Sequence, residues 1–183
     1  MPDPHNRRQF FQESVRSIMR PLAEYLADRF DLAEPTARLE VRGGSLQARD
    51  VGGADIPGLI DELPLLAVLA TRCAGTTVVR DAAELRHKES DRIQAMVEGL
   101  QRLGAVIRAR PDGFEVDGPV SLRGATVESH EDHRVAMALA VAGLLADGET
   151  HIEGTDCVAV SYPGFFTDLE VLVPGSVRPS SGP

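Results

Sequence analysis

An α/β (α+β) fold is predicted from three features of this 183-residue chain. Short β-branched runs alternate with helical patterns. The helical run that starts at Ser90 places Ile93, Met96, Val97, Leu100 and Leu103 on one face and stops at Gly104. A supersecondary unit recurs: Asp61 precedes an apolar helical run that ends at Gly75 and passes into Thr76-Thr77-Val78-Val79, and Asp132 precedes another that ends at Gly148 and passes into Thr150-His151-Ile152. Both repeated helices are apolar on nearly every side, which marks them as core helices wrapped by sheet.

Along the chain, Phe11, Val15, Ile18, Leu22 and Leu26 recur at three- and four-residue spacing, predicting an amphipathic helix kinked at Pro21, or two short ones. Strands are predicted at residues 39–42, 76–80, 106–109, 114–116 and 150–153, and helices at 59–72, 90–103, 132–146 and 164–172. The expected organisation is a helical N-terminal segment at 1–33, one α/β domain at 34–173, and a Pro-, Gly- and Ser-rich tail at 174–183 with too little apolar content to stay ordered.

Composition excludes several function classes. With 19 Lys and Arg against 28 Asp and Glu, the net charge of −9 argues against a protein that binds nucleic acid by neutralising phosphates. Aromatic content of 4% without tryptophan gives no stacking platform. The longest apolar run, 135–146, is shorter than the roughly 20 residues that a membrane span needs, so no membrane is expected. Cys73 and Cys157 stand alone in apolar surroundings, which suggests neither a disulfide nor a zinc site and fits a reducing, cytoplasmic setting. Small charged metabolites remain as ligands.

Three polar clusters sit where apolar helices begin. Arg86-His87-Lys88-Glu89-Ser90-Asp91-Arg92 gathers three cations at a helix start, where the positive dipole end disfavours them unless an anion collects them. The bland alternative is that Ser90 caps the helix and the charges are a solvated first turn. Ser129-His130-Glu131-Asp132-His133-Arg134 is the second, with Asp132 as N-cap. Its histidines are three apart across a helix boundary, unlike the i, i+4 pair of a zinc helix, so no metal is called for. Arg134 in the first turn of a buried helix asks for a carboxylate or phosphate partner. In the third, Leu59-Ile60-Asp61-Glu62-Leu63-Pro64, the aspartate is a cap or a functional carboxylate. Since all three open helices, they can converge at one end of a repeat-built fold: Lys88, Arg92 and Arg134 to hold anions, Asp61 and Glu89 to move protons.

These motifs, together with Ser161-Tyr162-Pro163-Gly164-Phe165-Phe166, make the chain resemble the C-terminal part of the 5-enolpyruvylshikimate-3-phosphate synthases, the 3-phosphoshikimate 1-carboxyvinyltransferases, over residues 34–172. The resemblance implies one incomplete domain of the enolpyruvyl transferase fold, built of repeated βαββαβ units whose core helices are enclosed by sheets. It implies transfer of the enolpyruvyl group from phosphoenolpyruvate to the 5-hydroxyl of shikimate 3-phosphate, in the pathway to aromatic amino acids, with no metal or other cofactor. Carried over by position, Asp61 resembles the proton acceptor at the attacking hydroxyl, Glu89 the donor to the methylene carbon, and Lys88 a contact to the shikimate substrate. Arg92 and Arg134 resemble the holders of phosphoenolpyruvate's carboxylate and phosphate, and His133 the histidine beside them.

Some features depart from the family. Val160 stands where many members carry lysine, and 1–33 shows no family motif. The Lys-Ser, Asn-Ala-Gly and Ser-Ser-Gln segments by which the other domain grips substrate are not found, so a missing N-terminal domain is an implied partner and this chain is expected to carry about half of an active site. The transferases that act on UDP-N-acetylglucosamine share the fold, but the His-Lys-Glu-Ser-Asp-Arg and Asp-His-Arg stretches favour the shikimate enzyme. A fragment that binds anions without turnover is the remaining alternative.

Overall fold

Two apolar helices bridge pairs of parallel strands in a computed structural model that describes residues 44–178. The predicted helix near the N-terminus and the strand at 39–42 lie outside the described residues. In the first crossover, β1 (Asp50–Val51) leads through a short helix α1 (Ile56–Leu59) and α2 (Leu63–Ala70) to β2 (Gly75–Val79), which runs parallel to β1. The chain then passes a 3-10 turn (Ala83–His87), α3 (Arg92–Arg102) and a hairpin of β3 (Val106–Arg110) and β4 (Gly113–Gly118), giving a four-stranded sheet in the order β1-β2-β4-β3. The second crossover runs from β5 (Leu122–Arg123) and β6 (Thr126–Glu128) through α4 (His133–Leu145) to β7 (Ala146–Asp147) and β8 (His151–Glu153), with β5 parallel to β7 and β6 parallel to β8. Helices α5 (Val158–Ser161) and α6 (Phe165–Leu172) follow.

Local chemistry explains these boundaries. The single helix predicted over 59–72 is broken because Pro64 has no N–H for the carbonyl four residues earlier, so the run restarts at Leu63 with proline in its first turn. Gly75 (φ 104°) and Gly148 (φ 95°) occupy the left-handed region at the exit of each crossover, a conformation that a β-carbon would disfavour. Strands β5, β6 and β7 escape sequence reading because two or three residues are too few to show a period. Residues 174–178, expected to trail as a disordered tail, turn back instead: the Glu170 carboxylate accepts the N–H groups of Gly175 (2.6 Å) and Val177 (2.8 Å).

The core joins Val79, Ile107, Phe114 and Val116 of the sheet to Leu63 and Val68 of α2, Ile93, Met96 and Leu100 of α3, and Val135 and Leu139 of α4, all buried. Helix α4 is buried from Val135 to Ala142 apart from Met137 and Val141, which are half-buried. Helix α2 departs from the enclosed helix that its sequence suggested: Leu65 is 43% and Leu69 46% exposed, one turn apart on a face to which the described strands do not extend.

That asymmetry is checked by urea denaturation. Leu63→Ala is expected to cost about 2–5 kcal/mol through the cavity it leaves, whereas Leu65→Ser and Leu69→Ser stay within about 0.5 kcal/mol of the unaltered chain.

Candidate functional site

The N-terminal ends of α2, α3 and α4 meet at the guanidinium of Arg92. Asp91, rather than Ser90, caps α3, accepting the N–H of Gln94 at 3.0 Å. Arg92 is therefore the first helical residue, and its side chain is only 2% exposed. A buried cation at the positive end of a helix is tolerated only among anions. Three carboxylates surround it: Nε donates to Asp132 Oδ2 (2.8 Å), one terminal nitrogen to Asp61 Oδ1 (2.9 Å) and the other to Glu89 Oε2 (2.7 Å).

Asp132 joins two helices. It is fully buried and caps α4, Oδ1 accepting the N–H groups of Arg134 (2.9 Å) and Val135 (3.4 Å), while Oδ2 accepts from Arg92 and from the hydroxyl of Ser90 (3.0 Å). Two successive non-glycine residues in the left-handed region, His130 (φ 54°) and Glu131 (φ 56°), precede it. Such strain costs on the order of 1–3 kcal/mol per residue and needs surrounding support. Buried Ser129 supplies it, donating to Gly154 O (2.8 Å) and accepting the N–H of Glu131 (3.2 Å).

Asp61 does not cap α2, which carries no side-chain cap; it faces Arg92 and, at 3.6 Å, Lys88 Nζ. Lys88, the only lysine in the sequence, also pairs with Glu84 at 2.5 Å. Arg134 finds the carboxylate partner that its position called for in Glu62 (2.6 Å), and it also reaches the carbonyl of Asp61 (3.3 Å). Of the predicted residues, then, Asp61, Lys88, Glu89, Arg92 and Arg134 share one connected constellation. His133 opens α4 next to Arg134, half-buried, with no side-chain hydrogen bond among the described residues. Arg86 turns away, donating to the carbonyls of Arg110 (2.6 Å) and Pro111 (2.8 Å) and to Asp91 (2.6 Å). His130 pairs at 3.6 Å with Glu98.

Sequence reading missed the parts played by Glu62, Glu84 and Ser90 and the second role of Asp132. No local pattern links Glu62 to Arg134 or Ser90 to Asp132, because each pair meets only through the fold. The Tyr162 motif has a packing role: its hydroxyl donates to Asp168 Oδ2 (2.7 Å), and burial followed by that carboxylate pushes its pKa up to about 12. Val160 is 88% exposed on α5, a helix packed against α4.

Burial alone would raise the carboxyl pKa of Asp132. The guanidinium of Arg92, the N–H of Arg134 and the hydroxyl of Ser90 outweigh it and hold the group below the aspartate range. For Asp61, burial is likewise outweighed by Arg134, Lys88 and Arg92. The hydrogen bond to Glu84 raises the pKa of Lys88. Guanidinium groups, whose shape fits oxyanions, thus converge with carboxylates, whose chemistry suits moving protons. Among the described residues, no group of three or more His, Cys, Asp or Glu is arranged to hold a metal ion, and no helix is long and apolar enough to cross a membrane.

Comparison with known proteins adds a family. Residues 6–169 match the family model of EPSP synthase (3-phosphoshikimate 1-carboxyvinyltransferase), a span that takes in most of 1–33, where the sequence alone showed no family motif. The 3-phosphoshikimate 1-carboxyvinyltransferase of Synechococcus elongatus is 53% identical over 146 residues, covering 80% of this chain and 33% of the relative. That of Gloeobacter violaceus is 58% identical over 136 residues, covering 74% and 32%. A solved EPSP synthase from Acinetobacter baumannii aligns with a TM-score of 0.66 at 39% identity, over 70% of this chain and 30% of its own. The chain spans about a third of the length of the curated relatives it matches.

The tie between Asp132 and Arg92 is checked with Asp132→Asn, which keeps the cap but removes the one fully buried anion of Arg92, leaving it the half-exposed Asp61 and Glu89; a loss of about 3 kcal/mol is expected in denaturant titration. Because the folded pKa of Asp132 is depressed, its contribution is complete above the unfolded value of about 3.9 and is lost as pH falls through the lower folded value. Stability of the unaltered chain should therefore fall more steeply below about pH 4 than that of Asp132→Asn.

Proposed function

The chain belongs to the EPSP synthase family, and we propose that it carries one part of an active site that transfers the enolpyruvyl group of phosphoenolpyruvate to the 5-hydroxyl of shikimate 3-phosphate. The observation that carries this reading is the Arg92 fork, which links a carboxylate before α2, a carboxylate before α3 and the cap of α4 in one place.

In this reading Arg92 and Arg134 hold the carboxylate and phosphate of phosphoenolpyruvate, since forked guanidinium groups fit planar and tetrahedral oxyanions. Asp61 accepts the proton of the attacking hydroxyl, and Glu89 gives a proton to the methylene carbon. The carbon next to it becomes electrophilic and the alkoxide adds there; later loss of phosphate together with a proton of the new methyl group, taken back by the Glu89 carboxylate, restores the double bond. Lys88 contacts the shikimate substrate, and His133 stands beside the arginines. Residues 34–173 would form part of a domain of repeated βαββαβ units; the two parallel crossovers, β1-α2-β2 and β6-α4-β8, support that description. The reducing, cytoplasmic setting suggested by the two lone cysteines belongs to the same proposal.

The rest of the site would come from sequence corresponding to the other two thirds of the relatives. Aligning an acceptor hydroxyl with an enol carbon in a water-poor cleft is worth about 7–11 kcal/mol of barrier, and one side of a cleft cannot supply it. Phosphate release from the two substrates is therefore expected to match a blank for the chain alone. It should appear when the chain is mixed with a separately made N-terminal two thirds of the Synechococcus elongatus relative, and disappear with Glu89→Ala. Robust release by the chain alone would overturn the half-site, and a stable two-part complex that releases no phosphate would overturn the transferase reading.

A further inference from the structure

We infer that Asp61 and Glu89 serve as internal anions on Arg92, and that a dianionic substrate group displaces them from its two terminal nitrogens while Asp132 keeps hold of Nε. The inference rests on the reading of Arg92 as a holder of phosphoenolpyruvate and adds how that site is kept occupied until substrate arrives.

The three carboxylates on Arg92 are unequal. The side chain of Asp132 is 0% exposed and accepts four hydrogen bonds, two from backbone N–H groups, one from Ser90 and one from Arg92. Releasing it would uncap α4 and strand a buried charge. The side chains of Asp61 and Glu89 are about half exposed; among the described residues Glu89 pairs only with Arg92, and Asp61 shares itself between Arg92 and Lys88. Their carboxylates already stand half in water, so leaving Arg92 rehydrates them at far less cost than releasing the buried Asp132. Arg92 therefore has one fixed edge and one exchangeable edge, and the exchangeable edge is the pair of terminal nitrogens that grips an oxyanion in two places.

Exchange would do more than make room. While bound to the guanidinium, Glu89 is turned toward Arg92 and cannot meet a substrate carbon. Asp61, deprived of Arg92, loses one of the cations that hold its carboxyl low and becomes a better proton acceptor. Arrival of the anion and readiness of the proton-transfer groups are then one event. The other charges at this place are Lys88, held by Glu84 and Asp61, and Arg134, held by Glu62.

Calorimetric titration of the full chain at pH 7 with sulfate, whose charge does not change near that pH, and separately with phosphoenolpyruvate, tests the exchange. Glu89→Gln is expected to bind both about tenfold more tightly than the unaltered chain, the value of one charge-assisted bond no longer displaced. Glu89→Ala should do likewise, and Asp61→Asn with Glu89→Gln should bind more tightly still. Glu98→Gln removes an equal charge from the outer part of α3 and should change affinity less than twofold, which separates local competition from net charge. Glu89 variants that remain folded by circular dichroism and bind no more tightly than Glu98→Gln overturn the inference, as does absence of binding in every variant. Neither result bears on turnover by the two-part enzyme, which tests the transferase reading; tighter binding without such turnover would uphold the exchange and reject the transfer.

Discussion

A guanidinium withdrawn from water has to be neutralised where it lies, and Arg92 sets that requirement at the centre of this fold. No single element supplies its counter-charges. Asp61 comes from the turn before α2, Glu89 from the residues before α3, and Asp132 from the cap of α4. An ion pair of this kind adds little net stability compared with a well-packed apolar substitute, because desolvation offsets the attraction. Its effect is positional: three helix starts must arrive together, or a charge is left buried without a partner.

The backbone delivers those helix starts through repeated architecture. Each apolar crossover helix is headed by an acidic residue and left through a glycine with positive φ. The approach to α4 is the strained one, with His130 and Glu131 in the left-handed region and Ser129 buried beneath them. Strain beside a functional constellation is expected when the geometry of one side chain matters more than local comfort; here that side chain is Asp132.

Most of this was legible in the sequence. Alternating strand and helix patterns located the long elements, the capping chemistry located Asp132, and the incongruity of cations at helix starts pointed to Lys88, Arg92 and Arg134. What was not legible depends on contacts between distant residues. Ser90 looks like a cap until Asp91 takes that place and frees its hydroxyl for Asp132. Arg86 looks like a third ligand-binding cation until the carbonyls of Arg110 and Pro111 claim it. Nothing local says that Glu62 is the partner of Arg134, or that one side of α2 carries Leu65 and Leu69 beyond the reach of the sheet.

A double-mutant cycle on the equilibrium stability of Arg92→Met and Asp132→Leu tests the cross-tie most directly. Arg92→Met leaves the buried Asp132 without its counter-charge and Asp132→Leu leaves Arg92 only the half-exposed Asp61 and Glu89, whereas the double change removes both charges together, so the double variant should cost less than the sum of the singles by about 2 kcal/mol or more. Costs that simply add, to within about 0.5 kcal/mol, would mean that the two side chains do not depend on each other and that the helix starts are held together by something else.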